Sequence, residues 1–172
     1  MNPPIRAEAD REALWEGVLR GEIDWVCSDH ACCSEADKLG DMWAALPGFG
    51  GSALMYPYML TEGPRRGLGL ERIVELVSEA PARAYGLFPR KGRISVGSDA
   101  DLAIVDLDRV ETVTPARLLS AQDHTPFAGL KLTGWPVRTI LRGRTVLLDG
   151  APVGEPRGAY LWRTSAPAPV GA

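Results

Sequence analysis

Near residue 90 the spacing of apolar side chains changes from a helical period to the short runs of a sheet. That break constrains the fold more than any composition figure. Upstream, residues 7–20 read as an amphipathic helix: Leu14, Trp15, Val18 and Leu19 recur among Asp10, Arg11, Glu12 and Glu16, and Gly21 stops it. The apolar run Ile23–Cys27 reads as a short buried strand. Gly48-Phe49-Gly50-Gly51 is a flexible turn, after which Ser52 is placed to cap a helix carrying Leu54, Met55, Tyr58 and Met59. A further helix spans about 70–78, Pro81 interrupts it, and a short helix through Ala82 and Tyr85 ends at Gly86.

Downstream the runs are short and separated by turns. Arg93–Val96 is one, and Asp101–Asp106 is a buried strand. Val137–Leu141 and Thr145–Leu148 flank Arg142-Gly143-Arg144 as a hairpin, and Asp149-Gly150 turns the chain back again. A helix-rich half followed by a small β half predicts an α/β chain, the end of a parallel barrel packed against a small β-sandwich. A complete eightfold barrel takes roughly 250 residues. This chain has 172, room for only the last one or two strand–helix units. The expected organisation is therefore a barrel part over 1–88, a β-sandwich with closing helix and loop segments over 89–164, and a disordered Pro/Ala-rich tail over 165–172.

Composition excludes several partners. With 45% hydrophobic and 24% charged residues the chain is of soluble globular type. A net charge of -3 without a basic stripe argues against a nucleic-acid partner. No apolar stretch approaches a membrane span, and Met1-Asn2-Pro3-Pro4 is unlike a signal peptide, so no membrane partner and a cytoplasmic location are expected. The three cysteines, Cys27, Cys32 and Cys33, are read as reduced thiols, because the count is odd and no Cys-x-x-Cys pair exists. There are only two histidines, His30 and His124, fewer than a self-contained catalytic zinc site needs.

Asp29-His30 follows directly on the apolar run 23–28. In parallel α/β architectures the carboxyl ends of strands are where ligands gather. An aspartate there can hold a metal ion or take a proton from a metal-bound water. The alternative is that Asp29 caps the next helix and His30 is a satisfied hydrogen-bonding residue.

The chain resembles the carboxyl-terminal part of cyclic amidohydrolases: hydantoinase (dihydropyrimidinase), allantoinase and dihydroorotase. The matching stretches are Asn2 to Arg6, Asp10 to Trp15, Ile23-Asp24 through Ser28-Asp29-His30, and Ala80 to Arg83. Gly92-Arg93-Ile94, Gly97 to Leu102, Thr125 to Gly129 and Gly134 to Val137 belong to the same set, and their shared order carries the resemblance. It implies the last units of a metal-dependent TIM barrel joined to a composite β-sandwich domain. The implied cofactor is a divalent metal, zinc, binuclear in the complete enzyme. Asp29 matches the aspartate that ligates the more exposed metal and serves as general base, and His30 the histidine beside it, which hydrogen-bonds. Asn2 and Pro3 match a loop lining the substrate ring. Pro47 and Gly48, with Gly50-Gly51, match a second substrate-facing loop; tight turns explain both loops equally well. Arg6 is expected to be a salt-bridged loop residue, and His124 a structural one away from the metals. Met55, Met59, Trp15 and Trp43 are expected to be core or lid packing.

The chain also departs from the family pattern. No His-x-His pair is present, and the carboxylated lysine and two further histidines of the family have no match. The expectation is a fragment, a truncated gene or one piece of a split protein, silent by itself because one carboxylate supplies neither the number nor the geometry of ligands. Cys33 stands where dihydroorotases carry a histidine that binds the substrate carboxylate, which argues against that activity. Leu46-Pro47-Gly48 keeps the Leu-Pro-Gly of hydantoinases but Ala44-Ala45 lacks their preceding Asn, Gly134-Trp135-Pro136 is hydantoinase-like, and allantoinases carry a cysteine at the position of Cys33. The favoured reading is a hydantoinase- or allantoinase-type hydrolase of a small cyclic amide or ureide, in a homo-oligomer. Dihydroorotase is the first alternative, and a non-catalytic dihydropyrimidinase-related scaffold is the second. A nucleophilic role for Cys32 or Cys33 is set aside, since the resemblance already supplies a hydrolytic mechanism.

Overall fold

The computed structural model describes residues 3–163. The first helix, α1 (Glu8–Arg20), opens where the Asp10 carboxylate accepts the Ala7 N–H at 3.0 Å. It closes at Gly21, whose φ of 77° lets its N–H and that of Glu22 return to the last carbonyls. The buried stripe is narrower than the sequence pattern: Trp15 and Val18 face the core, while Leu14 and Leu19 are exposed.

A 3-10 turn, Ser52–Leu54, leads into α2 (Met55–Arg65). Ser52 is therefore not the cap expected of it, and its polar groups go to His30 instead. Next, α3 (Leu70–Val74), a π turn (Glu75–Glu79) and α4 (Ala80–Ala84) form one continuous helical path. Pro81 does not interrupt it. The wide turn just upstream takes up the ring and the missing donor of the proline. Trp15, Val18, Met59, Leu60, Leu68, Ile73 and Leu76 make the first core cluster. Arg66 lies 4.9 Å above the Trp15 ring and pairs with Glu12 at 2.5 Å, fastening the end of α2 to α1.

The β region is one antiparallel sheet in the order β1 (Leu102–Thr112), β2 (Lys131–Leu141), β3 (Arg144–Leu148), β4 (Ala151–Pro152). The two-residue turns Arg142-Gly143 and Asp149-Gly150 have positive φ at both positions, the backbone that matches strand twist in a tight hairpin. Arg93–Val96 is not a strand. It is a bend and turn with Ile94 exposed, and Lys91 pairs with Asp99 and Asp101 beside it.

Helix α2 lies on β2. Gly134 has φ +83°, and a Cβ there would sit 2.7 Å from the Leu60 Cβ. The Thr61 hydroxyl accepts the Thr133 N–H at 2.8 Å and donates to the Pro57 carbonyl at 2.7 Å. Leu54, Val113, Leu118, Leu132 and Trp135 close the second cluster at this junction.

Ile23–Cys27 forms no strand among the described residues. A parallel strand needs a neighbour to pair with, and none of them offers one. The Val26 N–H donates instead to the Leu76 carbonyl at 3.0 Å, while Ile23, Trp25 and Val26 are only half-buried. No helix is long and apolar enough to cross a membrane among the described residues. The expected tail over 165–172 lies outside them.

Candidate functional site

Two loops run side by side behind the segment 23–28. The Ala31 N–H donates to the Phe49 carbonyl at 3.1 Å. The glycines of the second loop sit where this approach is tightest. At Gly48, with φ +101°, a Cβ would come within 2.5 Å of the Ala31 Cβ; at Gly51 it would meet the Ser28 carbonyl oxygen at 3.3 Å. Gly50 is more crowded still, with the Gln122 Oε1 only 2.0 Å and the His30 Cε1 2.8 Å from where its Cβ would lie. The glycines thus admit a neighbouring loop and a side chain to the backbone.

His30 is fixed by this arrangement. Its Nδ1 accepts the Gly51 N–H at 3.1 Å and the Ser52 N–H at 3.3 Å, with the Ser52 hydroxyl 3.0 Å away. Backbone amides can only donate, so Nδ1 carries no proton and the neutral ring holds its hydrogen on Nε2.

Asp29 is the counterpart. It is exposed, its φ is 43°, and its carboxylate accepts no hydrogen bond from the described residues. A left-handed backbone at a non-glycine residue is uncommon and more tolerable for aspartate than for most. Such conformations concentrate at functional positions. Asp29 therefore caps no helix here.

Pro47 is exposed, and the carbonyls on either side of it are tied down. The Lys38 ammonium donates to the Leu46 carbonyl at 2.7 Å and also to that of Gly48. The buried Cys33 thiol points at the Gly48 carbonyl, 3.5 Å away. Cys33 is thus a packing residue, with no imidazole to activate it, and Cys32 lies 3.8 Å from the Ser120 hydroxyl. An open cleft of about 680 Å³ is walled by Lys38, Trp43, Pro47, Gly48, Phe49 and His124. Trp43 is exposed on it rather than buried as core.

The segment 120–124 reaches across from the β region to this loop pair, which places His124 beside the second loop. Asp123 accepts the Glu35 N–H at 2.7 Å, and that bond, with His124 at 3.4 Å, holds the Asp123 carboxyl below the usual carboxylate range. Pro3 is exposed, Arg6 makes no ion pair among the described residues, and Asn2 lies outside them.

A metal centre needs at least three protein ligands in reach of one point. Among the described residues no group of three or more His, Cys, Asp or Glu is placed to hold an ion. Asp29 offers one ligand and His30 has spent Nδ1, so these residues do not form such a centre by themselves. Gln122, Lys38 and the hydrogen-bonding role of Ser52 are missed by sequence reasoning. No local pattern marks a lone glutamine or lysine whose partner lies in another loop.

Comparison with known proteins shows what the chain is similar to. A family model described as amidohydrolase family matches residues 5–146. A dihydroorotase from Geobacillus thermodenitrificans is 40% identical over 151 residues, 87% of this chain and 35% of that protein. An L-hydantoinase from Paenarthrobacter aurescens is 41% identical over 152 residues, 86% of this chain and 33% of that protein. Among solved structures, a D-hydantoinase (dihydropyrimidinase) from Thermus sp. superposes with a TM-score of 0.84 at 34% identity, over 90% of this chain and 35% of that one. An L-hydantoinase (dihydropyrimidinase) from Arthrobacter aurescens gives 0.81 at 39% identity, over 89% and 35%. The chain spans about a third of the length of the relatives it matches.

Proposed function

The chain belongs to the amidohydrolase family, and on that premise we propose that it is part of a metal-dependent hydrolase of cyclic amides or ureides, hydantoinase- or allantoinase-like. The observation that carries this reading is Asp29: an exposed carboxylate with no hydrogen bond from the described residues, on a left-handed backbone, beside a histidine locked by two amides. In the reaction water adds to the ring carbonyl and the C–N bond breaks. The Asp29 carboxylate takes a proton from the attacking water and delivers it to the departing nitrogen. His30 presents a fixed Nε2–H donor. The family generally depends on a divalent metal; here Asp29 contributes one ligand, alongside others that the described residues do not supply. Pro3, Pro47 and Gly48 line the substrate ring in this reading, together with Asn2. The architecture is the end of a TIM barrel with one sheet of a composite β-sandwich, zinc is the metal, and the assembly is a homo-oligomer.

A second reading, dihydroorotase, is favoured by the 40% identity to the Geobacillus enzyme. Against it stands the Cys33 thiol, which is buried toward the Gly48 carbonyl and offers no cation to a substrate carboxylate. A chimera in which this chain replaces the matching third of the Paenarthrobacter L-hydantoinase tests both. Hydantoin or allantoin is expected to be opened, with Asp29→Asn lowering kcat at least ~100-fold. Preference for dihydroorotate selects the second reading. A folded, metal-loaded chimera inert toward all three overturns the enzyme reading and leaves a scaffold.

A further inference from the structure

Gln122 sits in the connection between β1 and β2, far in sequence from Asp29, yet its side chain ends inside the loop pair that carries Asp29. It is only 4% exposed. Its Oε1 accepts the Gly50 N–H at 2.7 Å, which fixes which end of the amide is oxygen, because an N–H can face only an acceptor. The Nε2 is buried and has no hydrogen-bond partner. Leucine would fill similar space without an unpaired donor, so glutamine here costs stability and yields orientation.

That orientation has consequences on both sides of Asp29. The Gly50 N–H belongs to the planar Phe49–Gly50 peptide, whose carbonyl accepts the Ala31 N–H at 3.1 Å. One peptide plane is thereby clamped between Gln122 and Ala31. The next two amides, of Gly51 and Ser52, hold the His30 Nδ1. We propose that Gln122 is a positioning residue for the candidate site: through the Phe49–Gly50 peptide it sets the His30 tautomer and the path of residues 30–31, and so the presentation of the Asp29 carboxylate. This rests on the reading of Asp29 as the reacting carboxylate; the relay itself is testable without it.

The full chain has two histidines, so nitrogen-15 NMR resolves His30 once His124→Gln removes the other signal. Wild-type His30 is expected as the Nε2–H tautomer. Gln122→Leu is expected to give a mixture of tautomers and at least ~10-fold faster exchange of the Gly50 and Ala31 amides. Gln122→Glu keeps an acceptor oxygen and is expected to preserve both. In the chimera, Gln122→Leu is expected to lower kcat ~10-fold with KM unchanged, and Gln122→Glu to restore it. An Nδ1–H tautomer in the wild type overturns the relay even if Gln122→Leu fails to fold. So does a Gln122→Leu protein with unchanged His30 and amide signals. If the relay is present but the wild-type chimera hydrolyses nothing, the functional reading falls instead.

Discussion

The sheet and the loop pair around Asp29 solve the same problem, satisfying backbone donors and acceptors, by opposite routes. In the sheet each strand bonds to its sequence neighbour, and the turns Arg142-Gly143 and Asp149-Gly150 set two of the registers locally. In the loop pair the bonds come from far away: Val26 to Leu76, Ala31 to Phe49, Gly50 to Gln122, Glu35 to Asp123. The sheet is therefore specified largely by local pairing, with Thr61 of α2 taking the Thr133 N–H. The candidate site is an assembly of distant parts, and its shape depends on all of them being in place.

The harshest way to probe this contrast is at the junction of α2 with the sheet. Gly134→Ala combines a left-handed backbone with a clash against the Leu60 Cβ, an atom that cannot swing away. It is expected to destabilise the chain by about 3 kcal/mol in urea titration. Gly48→Ala meets the Ala31 Cβ in the loop pair, a contact between two loops rather than between a helix and a strand. A smaller loss, about 2 kcal/mol, is expected, accompanied by a displaced Asp29 and a large loss of hydrolysis in the chimera. If Gly48→Ala leaves activity intact, the close packing of the two loops is irrelevant to the site.

A third test separates the helical half from both. The Arg66 guanidinium, with Arg11 beside it, pulls the Glu12 carboxyl down to about 2. Its folded pKa is depressed, so the stabilisation is fully present above the ordinary carboxylate range and is lost as pH falls toward 2. Thermal melts from pH 5 to pH 2 are expected to show a falling Tm, and Glu12→Gln to reduce the slope, with Glu22, Asp37, Asp99 and Asp123, whose carboxyls are also held low, supplying the rest. The smallest effect belongs to the hairpin. Arg142 has φ 47°, and Arg142→Asn suits that conformation better. It is expected to raise stability by about 0.5 kcal/mol without touching activity.

What was legible follows the same division. Helix α1, its stop at Gly21, the strands after residue 101 and both hairpin turns are visible in the sequence, because period, capping and turn chemistry act over a few residues. Ile23–Cys27 has the composition of a strand and is not one, since a strand is completed by a neighbour and none of the described residues is that neighbour. Pro81 carries the mark of a break, and a π turn absorbs it. Ser52 has the chemistry of a cap and spends it on His30.

The order of matching stretches from Asn2 to Val137 is a property of the sequence by itself, and it fixed the family and singled out Asp29-His30 as the candidate chemistry-bearing pair. Only the tertiary structure decided that His30 holds its proton on Nε2 and that the Asp29 carboxylate accepts no hydrogen bond from the described residues. It alone brought Gln122 from the β region to Gly50. The physical reason is range: propensity and period are written in neighbouring residues, whereas a hydrogen bond between loops depends on where packing places two distant backbones.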